Sequence, residues 1–152
     1  MSISASGRRE IAAPPDQVWR ALAVLEPYCA VCDVSYVVDD AGPPGPGTTF
    51  VCVPGRLDGD GPPETAPRGE IVEWEPPRLV TTRLTLTPEI WTTRIELAAS
   101  AGGTTVTLTL THEPRTRGRL GLRGARALRR LVRETVDGEL DKLPAHVAQL
   151  TA

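Results

Sequence analysis

The sequence predicts an α+β fold in which a curved antiparallel sheet of seven strands wraps one long C-terminal helix around an internal cavity. Three observations carry this. Strand-like segments follow one another between residues 34 and 113, joined by short turns, and such a run pairs antiparallel. One more strand and a short helix precede them. A helical periodicity then runs from Leu122 onward, and its apolar stripe has only the sheet to bury against. A sheet of that width curls, which leaves space between sheet and helix. A chain of 152 residues encloses one core, so residues 1–152 are read as a single domain.

"SISASGRREI" alternates, with Ile3, Ala5, Gly7, Arg9 and Ile11 on one face, the period of a strand. "APPDQVWRALAVLEPY" is a helix. Pro15 suits its first turn, where the missing N–H is no loss, and Asp16 suits the positive end of the helix dipole. Val18, Leu22 and Leu25 form its buried stripe, and Pro27 stops it. "VSYVVDD" and "TTFVCV" are strands separated by the turn cluster "AGPPGPG". The long loop "PGRLDGDGPPETAP" follows, then the strands "RGEIVEWE" and "RLVTTRLTL". "WTTRIELAAS" and "TTVTLTLTHE" form a hairpin, with Gly102 and Gly103 able to take positive φ at its turn.

In the second strand of that hairpin, Thr105, Thr107, Thr109 and Thr111 alternate with Val106, Leu108, Leu110 and His112. One face is therefore wet and the other dry. In the terminal helix Leu122, Ala125, Leu128, Val132, Val136, Leu140, Leu143, Val147 and Leu150 make the stripe, opposite Arg126, Arg130, Arg133 and Asp137. Pro144 is expected to kink or break this helix near its end. Gly138 costs about 1 kcal/mol relative to alanine in a helix interior, so either something packs close there or the glycine is merely tolerated.

Hydrophobic residues make up 40% of the chain, the level of an ordinary globule. The net charge of −2 gives no general attraction to nucleic acid or anionic membrane. No apolar run approaches the ~20 residues that span a bilayer, and the N-terminus lacks a signal-peptide pattern, so a cytoplasmic protein is expected. Heavy use of Arg, Ala, Gly and Pro suggests a GC-rich bacterial genome. Cys29 and Cys32 have the spacing of a zinc or redox pair. A closed zinc site needs about four ligands, which Cys29, Cys32, Cys52 and His112 could supply only if the fold gathered them. A redox pair would open a helix, whereas this one follows a helix. The cysteines are read as reduced, metal-free thiols in a bent connection near the cavity mouth, and no metal or cofactor is expected.

The segments "REIAAPPDQVWRAL", "GEIVEWEPPRLV" and "IELAASAGGTTVTLTL", followed by a long terminal helix, resemble the START/Bet v 1-like (SRPBCC) superfamily. Within it the resemblance is to the bacterial polyketide cyclase/dehydrase and lipid-transport group. It covers nearly the whole chain. It implies a helix-grip fold with a deep, mostly apolar cavity, and a hydrophobic or aromatic polyketide-like ligand. A cofactor-free cyclase or dehydratase of secondary metabolism is the function expected from it. A non-catalytic lipid or small-molecule carrier, a sensor, and an adaptor for an acidic partner are the alternatives, because a fold does not determine a function. This sequence departs from the pattern at "EPYCAVCDVSY", where a second short helix is usual, and in its long loop, which should sit at the cavity mouth.

No nucleophile elbow, zinc-protease helix or phosphate loop occurs, so any chemistry must come from scattered groups facing the cavity. His112, on the dry face, is either a proton carrier or a strand-end histidine. Tyr36, in step with Val34 and Val38, either offers its phenol to a carbonyl or sits at the mouth. Trp91, in step with Thr93, Ile95 and Leu97, is a flat ligand wall or core packing. Val106, Leu108 and Leu110 of the sheet and Val132 and Val136 of the helix are the expected ligand contacts. Arg83 and Arg94 would bind an enolate or carboxylate if they faced inward, and would be ordinary exposed strand arginines otherwise. Asp33 and Glu113 are possible acids, with solvent exposure the alternative. Arg115, Arg117, Arg119, Arg123, Arg126, Arg129, Arg130 and Arg133 crowd one end of the terminal helix. They form either a solvated face or a dock for an acidic protein such as an acyl carrier protein. Nucleic acid is not expected, since no aromatic residues interleave with them. A monomer or homodimer is expected.

Overall fold

A computed structural model describes residues 2–22, 28–29, 33–39, 42–57, 59, 61–86, 89–114 and 121–151. The elements are β1 (Ile3–Ile11), α1 (Pro15–Leu22), β2 (Tyr28–Cys29), β3 (Val34–Val38), β4 (Thr49–Pro54), β5 (Arg68–Glu75), β6 (Leu79–Thr85), β7 (Glu89–Ser100), β8 (Gly103–Pro114) and α2 (Leu122–Thr151). The strands form one antiparallel sheet in the order β1-β8-β7-β6-β5-β4-β3-β2. The seven expected strands are all present. The two-residue β2 is an addition at the edge, where the sequence reads as a bent connection. Cys29 belongs to β2; Cys32, Leu25 and Pro27 lie outside the described residues.

The β7–β8 hairpin shows why the strands meet as they do. Burial alternates through β8, with Val106, Leu108, Leu110 and His112 inside and the threonines between them half-buried. On the outer face Ser4 and Ser6 of β1 bond to Thr111 and Thr109, extending the threonine ladder across the strand pair. At the turn, only Gly103 of the two glycines has positive φ, at 140°. A Cβ on it would stand 2.3 Å from the Ile11 carbonyl, so β1 passes too close for any side chain. Gly102 is instead held by its N–H donating to Glu10 Oε1. Thr104, fully buried, donates to the Ala13 carbonyl at 2.7 Å and ties the corner to the start of α1.

α2 rests chiefly on β1 and β8 and touches α1. Val132, Val136, Leu140, Leu143 and Val147 join Val106, Leu108 and Leu110 in one buried cluster. Each such side chain contributes roughly 1.5–3 kcal/mol relative to exposure. Arg133 donates to the Ser6 carbonyl and Arg9 pairs with Asp141, both at 2.8 Å, pinning the helix along β1. Two expectations for this helix are corrected. Leu122 is 76% exposed, so the buried stripe begins at Ala125. The helix also continues through Pro144 rather than breaking there, with Leu143 and Val147 buried on either side of it. Among the described residues no helix is long and apolar enough to cross a membrane.

Candidate functional site

The strand register lays inner side chains in rows across the sheet. One row runs Ile3, His112, Trp91, Leu84, Gly69, Phe50 and Val38. Gly69 matters here, because the Phe50 ring occupies the place of its side chain: a Cβ would stand 2.4 Å from that ring. Tyr36 lies edge-on to Phe50, with centroids 5.4 Å apart. His112 and Tyr36 therefore both belong to the inner side of the sheet, at opposite ends of a shared apolar floor.

That floor is not uniformly sealed. Where α2 lies on β8, the inner residues are buried. On β7, Trp91, Thr93 and Ile95 point the same way but remain half-buried, as does Tyr36 on β3. The second cluster, Phe50, Ile71 and Val80, is closed from α1's side by Trp19, which meets Trp74 edge-on at 5.0 Å. Trp19, Tyr36 and Ile95 contact both clusters and form the seam between them.

At one end of the floor stands a polar group. His112 is 3% exposed, and among the described residues neither ring nitrogen has a hydrogen-bond partner. Its imidazole meets the Trp91 indole edge-on, centroids 4.7 Å apart. Glu89 bridges the two: its Oε2 accepts from Trp91 Nε1 at 3.0 Å, and its Oε1 lies 3.4 Å from His112 Nε2. The sequence pattern missed Glu89 because it reads β7 as beginning at Trp91, whereas the strand begins at Glu89. Alternation puts residues 89 and 91 on one face, so the signal was present once the start was known.

The other expected residues divide. Val106, Leu108, Leu110, Val132 and Val136 come together, as core between β8 and α2. Arg83 does not join them. It is exposed, opposite Glu70 and Thr92 on the outer face, because the inner positions of β6 fall to Thr82 and Leu84. Arg94 is also on that face, 3.1 Å from Glu96. Asp33 accepts from the Tyr28 hydroxyl at 2.5 Å, and Glu113 is exposed. At the β3 edge of the sheet a cleft of about 570 Å³ is lined by Tyr28, Ser35, Tyr36, Val37, Val38, Arg56 and Leu57. The long loop supplies its wall: Ser35 donates to the Gly55 carbonyl and accepts from the Leu57 N–H, folding the loop's first residues back onto β3. On α2, Arg123, Arg126, Arg129 and Arg130 are exposed; Arg115, Arg117 and Arg119 lie outside the described residues. Cys52 is buried on β4, and among the described residues no cluster of His, Cys, Asp or Glu is placed to hold a metal ion.

Residues 2–148 match the family model described as polyketide cyclase/dehydrase and lipid transport. The chain belongs to that family. Solved structures with the same fold include the di-domain ARO/CYC StfQ from the steffimycin biosynthetic pathway, at TM-score 0.71 and 14% identity. That alignment covers 99% of this chain and 52% of StfQ, so the chain spans about half of the di-domain protein. Ara h 8.0201 superposes at TM-score 0.66 and 13% identity, over 98% of this chain and 99% of that one. Protein NE0264 from Nitrosomonas europaea superposes at 0.63 with 20% identity, over 98% and 96%. No curated protein matches the sequence. The helix-grip fold is thus shared with StfQ and with Ara h 8.0201, and the fold by itself does not decide between activities.

Proposed function

We propose that the protein holds a hydrophobic or aromatic, polyketide-like molecule between the sheet and α2, and cyclises or dehydrates it without a cofactor. The observation that carries this reading is a buried imidazole at one end of a half-buried apolar floor, with no hydrogen bond to either ring nitrogen among the described residues. A buried polar group without a partner costs about 1–3 kcal/mol, a cost expected of a group kept for a ligand. The ligand reaches it by displacing inner side chains. In ring closure, His112 takes the proton from a methylene carbon between two carbonyls. The resulting enolate carbon bonds to a second carbonyl carbon, and the proton passes to that carbonyl's oxygen. Dehydration follows the same economy: an adjacent carbon gives up a proton and the hydroxyl leaves as water. Tyr36 orients a carbonyl from the far side of the floor. Trp91 and Ile95 supply flat and apolar contact.

The test compares products of a reactive poly-β-ketone chain with wild type, His112→Ala and Tyr36→Phe. His112→Ala is expected to lower kcat by about a hundredfold, the range of a lost general base. Equal products at equal rates from all three would overturn the proton-transfer roles. The carrier reading, which the lipid-transport members of the family favour, predicts that bound ligand is recovered chemically unchanged.

A further inference from the structure

We infer that Glu89 is a positioning residue for His112, fixing the imidazole proton on Nε2 and leaving Nδ1 as the base. This rests on the reading of His112 as the proton carrier. Glu89 is itself firmly placed. Its backbone N–H donates to the Leu86 carbonyl at 2.6 Å, and its carbonyl accepts from the Leu86 N–H at 2.7 Å, closing the turn between β6 and β7. Two residues on, Trp91 stands directly across from His112 in the β7–β8 register. Side chains of residues 89 and 91 share the inner face, so the carboxylate reaches both rings.

The chemistry follows from the two carboxylate oxygens. Oε2 is engaged by the indole N–H at 3.0 Å, which sets the plane of the carboxylate. Oε1 then faces His112 Nε2 at 3.4 Å. A carboxylate oxygen has only lone pairs, and a bare imidazole nitrogen facing it would oppose lone pair to lone pair. The neutral ring therefore places its hydrogen on Nε2, and Nδ1 carries the free lone pair. The edge-on Trp91 ring, 4.7 Å away, opposes a flip of the imidazole that would carry Nε2 away from Oε1. At 3.4 Å the contact is longer than a formed hydrogen bond, and the Glu89 side chain is 40% exposed. Its contribution to folding is accordingly small, and its effect is on which nitrogen is basic. When Nδ1 accepts a proton from substrate, the ring becomes a cation beside a carboxylate, and the contact shortens and strengthens. Returning that proton to the product restores the neutral Nε2–H form.

The experiment reads the ring nitrogens directly. Nitrogen-15 NMR of the ligand-free protein at mildly alkaline pH, where an ordinary imidazole is neutral, reports the tautomer. Wild type is expected to show the proton on Nε2 alone, and Glu89→Ala a mixture of the two tautomers. In the cyclisation assay Glu89→Ala is expected to lose roughly a hundredfold in kcat with little change in KM, and Glu89→Asp to recover part of it. A wild-type ring protonated on Nδ1, or on both nitrogens, overturns the inference, as does an unchanged tautomer in Glu89→Ala. If Glu89→Ala does not fold, Glu89→Leu is read in its place, and an unchanged tautomer there overturns the inference. If the tautomers behave as expected but wild type turns over no poly-β-ketone, the proton-carrier reading fails while the positioning of His112 by Glu89 stands.

Discussion

Replacing Gly138 with alanine should stabilise the protein, and the expected size can be worked out. Gly138 lies in the interior of the 30-residue α2. A Cβ built there meets nothing within 4 Å among the described residues, so none of them has to move. The gain is then the helix propensity difference, about 1 kcal/mol, from restricting the unfolded chain and removing a flexible link from the helix. Unfolding entropy near 2.1 cal/mol/K per residue, over 152 residues, is about 0.32 kcal/mol/K, so Tm should rise by about 3 °C. Gly7→Ala is the matched opposite. It lies on β1 under the same helix, and its Cβ would stand 2.8 Å from Leu140 Cδ1 and 3.1 Å from Val136 Cγ1. Leu140 and Val136 are 6% and 0% exposed, and Val136 is branched at Cβ, so neither has room to give way. Overpacking of this kind costs about 1–3 kcal/mol, a fall of roughly 3–9 °C by the same conversion. Both variants are read by differential scanning calorimetry or urea titration. A lower Tm for Gly138→Ala, or an unchanged one for Gly7→Ala, would refute the assignment of which glycine lies under the helix contact and which lies in open space.

Thr104→Val keeps the shape but removes the hydroxyl that donates to the Ala13 carbonyl from a fully buried site. A loss of about 1–3 kcal/mol is expected in urea unfolding, with the β1–α1 corner losing amide protection first. Asp39 tests electrostatics at the β3–β4 edge. The Thr49 hydroxyl donates to it, and with the Arg68 guanidinium it outweighs some loss of hydration, holding the carboxyl below its ordinary value of 3.8. A depressed carboxyl stabilises the fold above its unfolded pKa, and that contribution is lost as pH falls through the lower, folded value. Thr49→Val should move the Asp39 titration up toward 3.8, seen by carbon-13 NMR; no movement would mean that the hydroxyl is not what holds it down.

Much of the architecture was legible because periodicity is a local property. The alternation Thr105 to His112 and the stripe Ala125 to Val147 each announce a buried face, since a side chain's direction repeats every two residues in a strand and about every 3.6 in a helix. What lies opposite that face is a nonlocal fact, and periodicity does not contain it. The alternation in β8 placed His112 inside but could not say that Trp91 stands across from it or that Glu89 reaches it, because those contacts depend on the register between β7 and β8 and on where β7 begins. The same limit explains Arg83. Its strand was read correctly, but one residue of parity separates an inward arginine from an exposed one, and only pairing with Thr92 and Glu70 set the outer face. Gly138 and Gly7 are alike as letters in the chain. The packing of α2 on β1 made one an open position and the other a point of contact, because the clearance between two elements is set by all the side chains between them at once.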